Sequence, residues 1–229
     1  MTRSLVTYFD YKSPYAFVAK DLIQELAVEC GVTLEWRPYT LRIPDFLGSA
    51  EVNERGERVA DARNGHQWRR VKYIYMDCRR LAARRGLTFH APRKVFESFV
   101  AHVGMLYACR RSAFQRYHDA VFERFWRREL DVDSVTEISQ VLRSIGVGAE
   151  EFPAFVEGAG RLEHDHIMDE AHALGVFGVP SFIVDGELYW GGEHLPALRE
   201  RLGRGARRLS CDQHLGAIPS KISSVPWTS

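Results

Sequence analysis

The sequence predicts an α/β protein in which a four-stranded sheet is interrupted by a large all-helical insertion. Three observations carry this. A strand–helix–strand unit fills the first 40 residues. Helical patterning then runs through residues 41–161. Near the end, Asp185–Gly186 separates two short apolar runs, a strong hairpin signal.

Residues 4–9 form the first strand, with Val6, Tyr8 and Phe9 favouring extended backbone. Ser13–Pro14 opens a helix, since serine caps an N-terminus and proline suits the first helical position. Phe17, Val18, Leu22, Ile23 and Leu26 recur at helical spacing, and Gly31 stops the helix. Residues 32–37 alternate apolar and polar side chains with period two until Pro38 ends them. Residues 44–65 are polar and weakly patterned, a loop with one short helix. Helices follow over 66–85, 96–110, 114–126, 132–145, 152–158 and 162–174. Strands 181–184 and 187–190 and a helix over 193–202 complete the chain. Together the two ends assemble a thioredoxin-like domain (1–40 and 162–203) around the insertion (41–161). Residues 204–229 lack periodicity and are expected as an extended or disordered tail.

Composition narrows the function. Hydrophobic residues make up 45% of the 229 and charged residues 27%, ordinary globular values. With 31 basic and 30 acidic residues, the net charge of +1 exerts no general pull on nucleic acid or an anionic membrane. No apolar run is long enough to span a bilayer, and no leader pattern opens the chain, so a cytoplasmic protein is expected. Cys30, Cys78, Cys109 and Cys211 form no CxxC pair, so neither zinc spacing nor a dithiol motif is present. His164, His166 and His172 do not share one helix face as metal ligands would, and no metal is expected.

Asp10, Ser13, Pro14 and Tyr15 resemble the D-x-x-S-P-Y of the DsbA-like superfamily, in the branch of kappa-class glutathione transferases and 2-hydroxychromene-2-carboxylate isomerases. The run from Gly175 to Phe182, followed by Val184-Asp185-Gly186, resembles that branch's G-V-F-G-V-P-[ST]-F-x-V-D-G. Trp190 to Leu195 is similar to its W-G-x-D-R-L. The resemblance covers residues 4–203. Thiol-active members carry CxxC where this chain has Ser13-Pro14-Tyr15-Ala16, so this site cannot form a disulfide. A helix N-terminus still favours an anion and lowers a thiol's pKa. The resemblance therefore implies a borrowed thiol, that of the cofactor glutathione, held as thiolate beside the Ser13 hydroxyl.

The same resemblance implies further glutathione contacts. Val179–Pro180 would be cis and present the Val179 backbone beside Ser13. Gly192 and Glu193 would hold the γ-glutamyl end, although Glu193 stands where the branch has Asp. An asparagine after the second strand is also implied; Asn53 and Asn64 are both candidates and Asn64 is taken. Apart from the resemblance, residues 61–90 are rich in arginine and lysine, which reads first as a solvated helix face; the sharper reading is that Arg63, Lys72 or a neighbour meets a carboxylate of glutathione or of an acidic substrate. The aromatic-rich stretch from Phe96 to Trp126 is mostly core, with a few rings to wall an apolar pocket.

Two enzyme readings and one binding reading follow. The first is a glutathione-dependent isomerase, in which the thiolate adds reversibly to an unsaturated aromatic keto acid. The second is a kappa-like transferase or peroxidase that consumes glutathione. The third is a non-redox thioredoxin-fold protein that binds peptides. The resemblance also implies a homodimer.

Overall fold

The structure is a computed structural model and describes residues 3–209. Its main sheet has the order β2-β1-β5-β6. The central strand β1 (Ser4–Phe9) runs parallel to β2 (Thr33–Pro38) and antiparallel to β5 (Ser181–Val184), which forms a hairpin with β6 (Glu187–Trp190). The parallel crossover is α1 (Pro14–Cys30), capped by Ser13 and ended by Gly31 in the left-handed conformation at φ 63°.

Side chains of β1 alternate between two helical layers. Leu5 packs with Ile23 and Leu26 of α1 and with Leu195, Leu198 and Leu202 of the last helix. Tyr8 lies on the other face with Ala171 and Ile167, from the helix that leads into β5. Burial on both faces explains why this strand reads as nearly continuous apolar sequence.

Between β2 and β5 the chain forms α2 (Ile43–Leu47), α3 (Gly65–Arg84), α4 (Phe99–Cys109), α5 (Phe114–Trp126), α6 (Val135–Ser144), α7 (Phe152–Glu157) and α8 (Ala159–Ala173). Trp126 stacks on Phe17 of α1 and on Phe89, and Tyr11 meets Phe122 edge-on, so the insertion and the sheet domain share one core. Among the described residues no helix is long and apolar enough to cross a membrane.

Two segments differ from the sequence expectation. The region expected as loop with one helix also contains a hairpin, β3 (Ala50–Val52) and β4 (Arg58–Asp61). Every residue of β4 is exposed, so no apolar alternation marks it. Its turn is closed by Asn53, whose Oδ1 accepts the N–H groups of Arg55 and Glu57. The second is the start of the expected tail. The last helix, α9 (Leu195–Leu209), continues past Leu202. A glycine inside a helix costs only about 1 kcal/mol, and Ala206, Arg207, Arg208 and Leu209 are good helix formers. Residues 210–229 lie outside the described residues.

Two predictions follow from the core. A Cβ built on Gly104 of α4 would overlap the Tyr117 hydroxyl and lie 2.8 Å from Ile138 Cγ2, and that hydroxyl donates to the Ala101 carbonyl at 2.8 Å. Gly104→Ala should therefore destabilise by about 1–3 kcal/mol despite alanine's better helix propensity. Urea denaturation should find part of that loss recovered when Tyr117→Phe is added.

The second prediction concerns pH. His118 is fully buried among Phe9, Trp36, Phe114 and Phe122, and burial holds its pKa well below 6.5; His102 is fully buried and shifted the same way. Both are neutral in the fold, whereas the unfolded chain takes up protons near pH ~6.5. Their contribution is complete above that pH and is lost on acidification below it, by about 1.4 kcal/mol per pH unit for each histidine. Unfolding free energies measured from pH 7.5 to 5 should show this slope. His118→Phe should remove one histidine's share.

Candidate active site

Ser13 occupies the end of the sheet where β1 delivers the chain to α1. Its backbone is extended (φ −82°, ψ 116°), and its Oγ accepts the Ala16 N–H at 3.3 Å. The same hydroxyl donates to the Val179 carbonyl at 3.4 Å. Val179 reaches it because β1 and β5 run antiparallel with Tyr8 opposite Ser181, so the exit of one strand adjoins the entry of the other. The Val179–Pro180 peptide is cis. Pro14 has no N–H and the Tyr15 N–H has no partner within its helix, so one donor at the positive helix end faces outward.

The turn before Ser13 is buried and tightly held. Asp10, fully buried, accepts the Lys12 N–H at 3.0 Å and the Leu41 N–H at 2.8 Å, and its carbonyl accepts the Ser13 N–H at 3.0 Å. Burial raises the Asp10 pKa, opposed first by the Lys12 ammonium 3.9 Å away. Lys12 is 7% exposed and also meets Glu97 at 3.4 Å.

Lys12, Ser13 and Val179 line one cavity of about 1100 Å³. Its apolar wall includes Leu47, Val71, Ile74, Phe96, Phe177 and Trp190. Gly178 lets Trp190 close over this wall, since a Cβ there would lie 2.6 Å from the Trp190 Nε1. Phe177 packs on the Trp190 ring at 4.9 Å. Lys12, Arg63, Arg69, Arg70, Lys72, Arg79, Arg93 and Lys94 also line the cavity, and among the described residues no aspartate or glutamate does. Lys94 pairs with Asp131 and Asp133, and Arg93 with Glu54. Arg69, Arg70, Lys72 and Arg79 of α3 have no carboxylate partner among the described residues. The cavity therefore combines an apolar body with an uncompensated positive wall.

Among the described residues no cysteine lines this cavity. Burial pushes the Cys78 thiol up to about 12 and that of Cys109 up to about 11, so both stay protonated at neutral pH. Tyr15, whose hydroxyl donates to Asp77 at 3.2 Å, is likewise held neutral by burial. Cys211 lies outside the described residues. The arrangement can steady an anion at Ser13, but among the described residues it provides no nucleophilic sulfur of its own.

Of the residues singled out by sequence, Ser13, Val179 and Lys72 come together on this cavity. Asn64, Pro180, Gly192 and Glu193 are not among its lining residues. Asn64 caps α3, accepting the Gln67 N–H at 2.9 Å, and Asn53 is engaged in the β3–β4 turn. Gly192 and Glu193 belong to a short 3₁₀ turn before α9, where the Glu193 carboxylate folds back over Gly191. Sequence reasoning missed Lys12 and Trp190 as cavity residues. Lys12 adjoins Ser13 and was visible, but nothing local marks a lysine as buried. Trp190 was quoted only as part of a motif.

A 2-hydroxychromene-2-carboxylate isomerase from Sphingobium xenophagum is 26% identical over 207 residues, covering 88% of this chain and 99% of that protein. A crystal structure of a 2-hydroxychromene-2-carboxylate isomerase superposes with a TM-score of 0.71 at 23% identity, covering 90% of this chain and 98% of that one. A probable DsbA oxidoreductase from Streptomyces coelicolor gives 0.70 at 19% identity, covering 94% of each chain. Residues 4–203 match the DsbA-like thioredoxin domain, and the chain belongs to that family.

Proposed function

We propose that this protein is a glutathione-dependent isomerase of an unsaturated aromatic keto acid, similar in reaction to the relatives named 2-hydroxychromene-2-carboxylate isomerase. The observation that carries this reading is a hydroxyl at a helix N-terminus, opposite the Val179 backbone, in a cationic cavity that no thiol among the described residues lines. Bound glutathione supplies a thiolate that adds reversibly to a carbon conjugated with a carbonyl and leaves unchanged.

The chain's own residues do the rest. The Ser13 hydroxyl turns from Val179 to donate to the sulfur, joined by the Tyr15 N–H and the helix dipole. Its present 3.4 Å bond to Val179 is long, so little is lost in the exchange. Lys12 adds positive charge beside Ser13. Lys72 and Arg69 receive carboxylates without first breaking an ion pair. Phe177, Trp190 and the apolar wall exclude water from the conjugated system, which strengthens each of these interactions.

Ser13→Ala removes a hydrogen bond to a charged atom, about 1.5–3 kcal/mol, and should lower kcat/KM roughly tenfold or more. Calorimetry with reduced glutathione, read alongside thiolate absorbance, should show binding retained while the thiolate signal moves to higher pH. Unchanged turnover would remove Ser13 from the mechanism. No binding by the wild-type protein at millimolar glutathione would overturn the reading. Total free glutathione should stay constant during turnover; its depletion would favour a transferase, and formation of its disulfide a peroxidase.

Arg69→Gln and Lys72→Gln should raise KM for the acid substrate and weaken its salt dependence. As exposed unpaired charges they should leave stability within about 0.5 kcal/mol of the parent. An unaltered KM in the double variant would direct the carboxylate elsewhere in the cavity.

A further inference from the structure

Beneath the Ser13 turn lies a buried polar chain that the proposed reaction does not use. His102 of α4 is fully buried, and its Nε2 lies 3.5 Å from Asp10 Oδ1. Its Nδ1 lies 2.7 Å from Thr40 Oγ1, which is 2.9 Å from His164 Nε2 of α8. The exposed Asp165 stands 3.4 Å from the other His164 nitrogen.

Thr40 has one hydroxyl proton and two imidazole neighbours, so the chain of bonds has two directions. If His102 donates from Nδ1 to Thr40, its bare Nε2 faces a carboxylate oxygen and two acceptors oppose each other. If Thr40 donates to His102 Nδ1, the ring proton sits on Nε2, which makes no full hydrogen bond and has Asp10 Oδ1 as a neighbour at 3.5 Å, while His164 donates to Thr40. Asp10 accepts two backbone N–H groups and adjoins the Lys12 ammonium, surroundings that suit its ionised form. The second direction is therefore selected. Burial lowers the His164 pKa and favours its neutral form; its bare Nδ1 then faces only the exposed Asp165, whose carboxylate can turn to water, so the direction stands. The other groups facing this pair are Tyr11 and Lys12 from the turn, Ser98 at the start of α4, and His118 of α5.

We propose that His102 is a positioning residue of this site: its Nε2 proton, directed at Asp10 by Thr40 and His164, keeps that carboxylate ionised and so holds the turn that presents Lys12 and Ser13 to the cavity. The consequence for turnover rests on the thiol-site reading above; the direction of the hydrogen bonds does not.

Carbon-13 carboxyl NMR of the whole chain tests it by titrating Asp10 in the wild type, His102→Gln and His102→Leu. Losing the donor disfavours the carboxylate, so His102→Leu should raise the Asp10 midpoint by about one pH unit, a tenfold change in proton affinity. Glutamine, which carries an N–H toward the same oxygen, should raise it less. A common midpoint in all three proteins would overturn the proposal. Should the leucine variant not fold, nitrogen-15 shifts of the His102 ring decide: a protonated Nε2 and bare Nδ1 in the wild type, with that preference lost in Thr40→Val, are expected. A bare Nε2 or an imidazolium at pH 7 overturns it. In turnover, the acid limb of kcat/KM should move to higher pH in the same order as the Asp10 midpoints, whereas a packing role alone would scale the profile without moving it. If the wild type binds no glutathione, the thiol reading fails and the Asp10 titration still decides this proposal.

Discussion

The buried Asp10 carboxylate joins the parts of this molecule that must meet. It accepts one N–H from the turn leading into α1 and one from Leu41, beyond the end of β2. Two strand exits are thereby tied at one point, and the insertion begins from a fixed place. Burying a carboxylate costs several kcal/mol unless donors and a countercharge surround it. Here the countercharge is Lys12, itself nearly buried and part of the cavity wall. The group that stabilises the turn thus also orients a cation toward the ligand space.

The insertion completes this arrangement from the other side. Trp126 donates its indole N–H to the Tyr11 carbonyl at 3.1 Å, and Tyr11 is surrounded by aromatic rings of α5. The turn is consequently clamped between a sheet domain and a helical layer that share one core. Its outer face is left to the cavity, where α3 contributes cations and the β3–β4 region contributes apolar wall. Anion stabilisation, charge recognition and water exclusion draw on distant stretches of chain, with α3 supplying both cations and apolar wall.

Much of this was legible in the sequence, and unevenly so. Ser13 and Pro14 announce a helix start by chemistry alone, and Asp185–Gly186 announces a hairpin. The β3–β4 hairpin is not legible in the sequence because β4 is exposed throughout and β3 has only three residues, so backbone pairing and an asparagine side chain hold it. The continuation of α9 is not legible because residues 204–209 carry no apolar periodicity, and helix propensity alone extends it past Gly203 and Gly205. Lys12 was passed over because burial of a lysine depends on distant carboxylates.

What the sequence by itself determined is local: periodicity sets strand and helix, caps set their starts, and the absence of CxxC excludes a disulfide at this helix. Each depends on residues a few positions apart. What only the tertiary structure decided is which distant residues share a space. Ser13 meets Val179 because two strands run antiparallel, Lys72 turns toward the same cavity, and Asn64 and Glu193 are taken up by a cap and a turn. Asp10, His102, Thr40 and His164 come from four elements, and nothing in their spacing predicts contact. Their pairing follows from burial, which leaves polar groups no partner but one another.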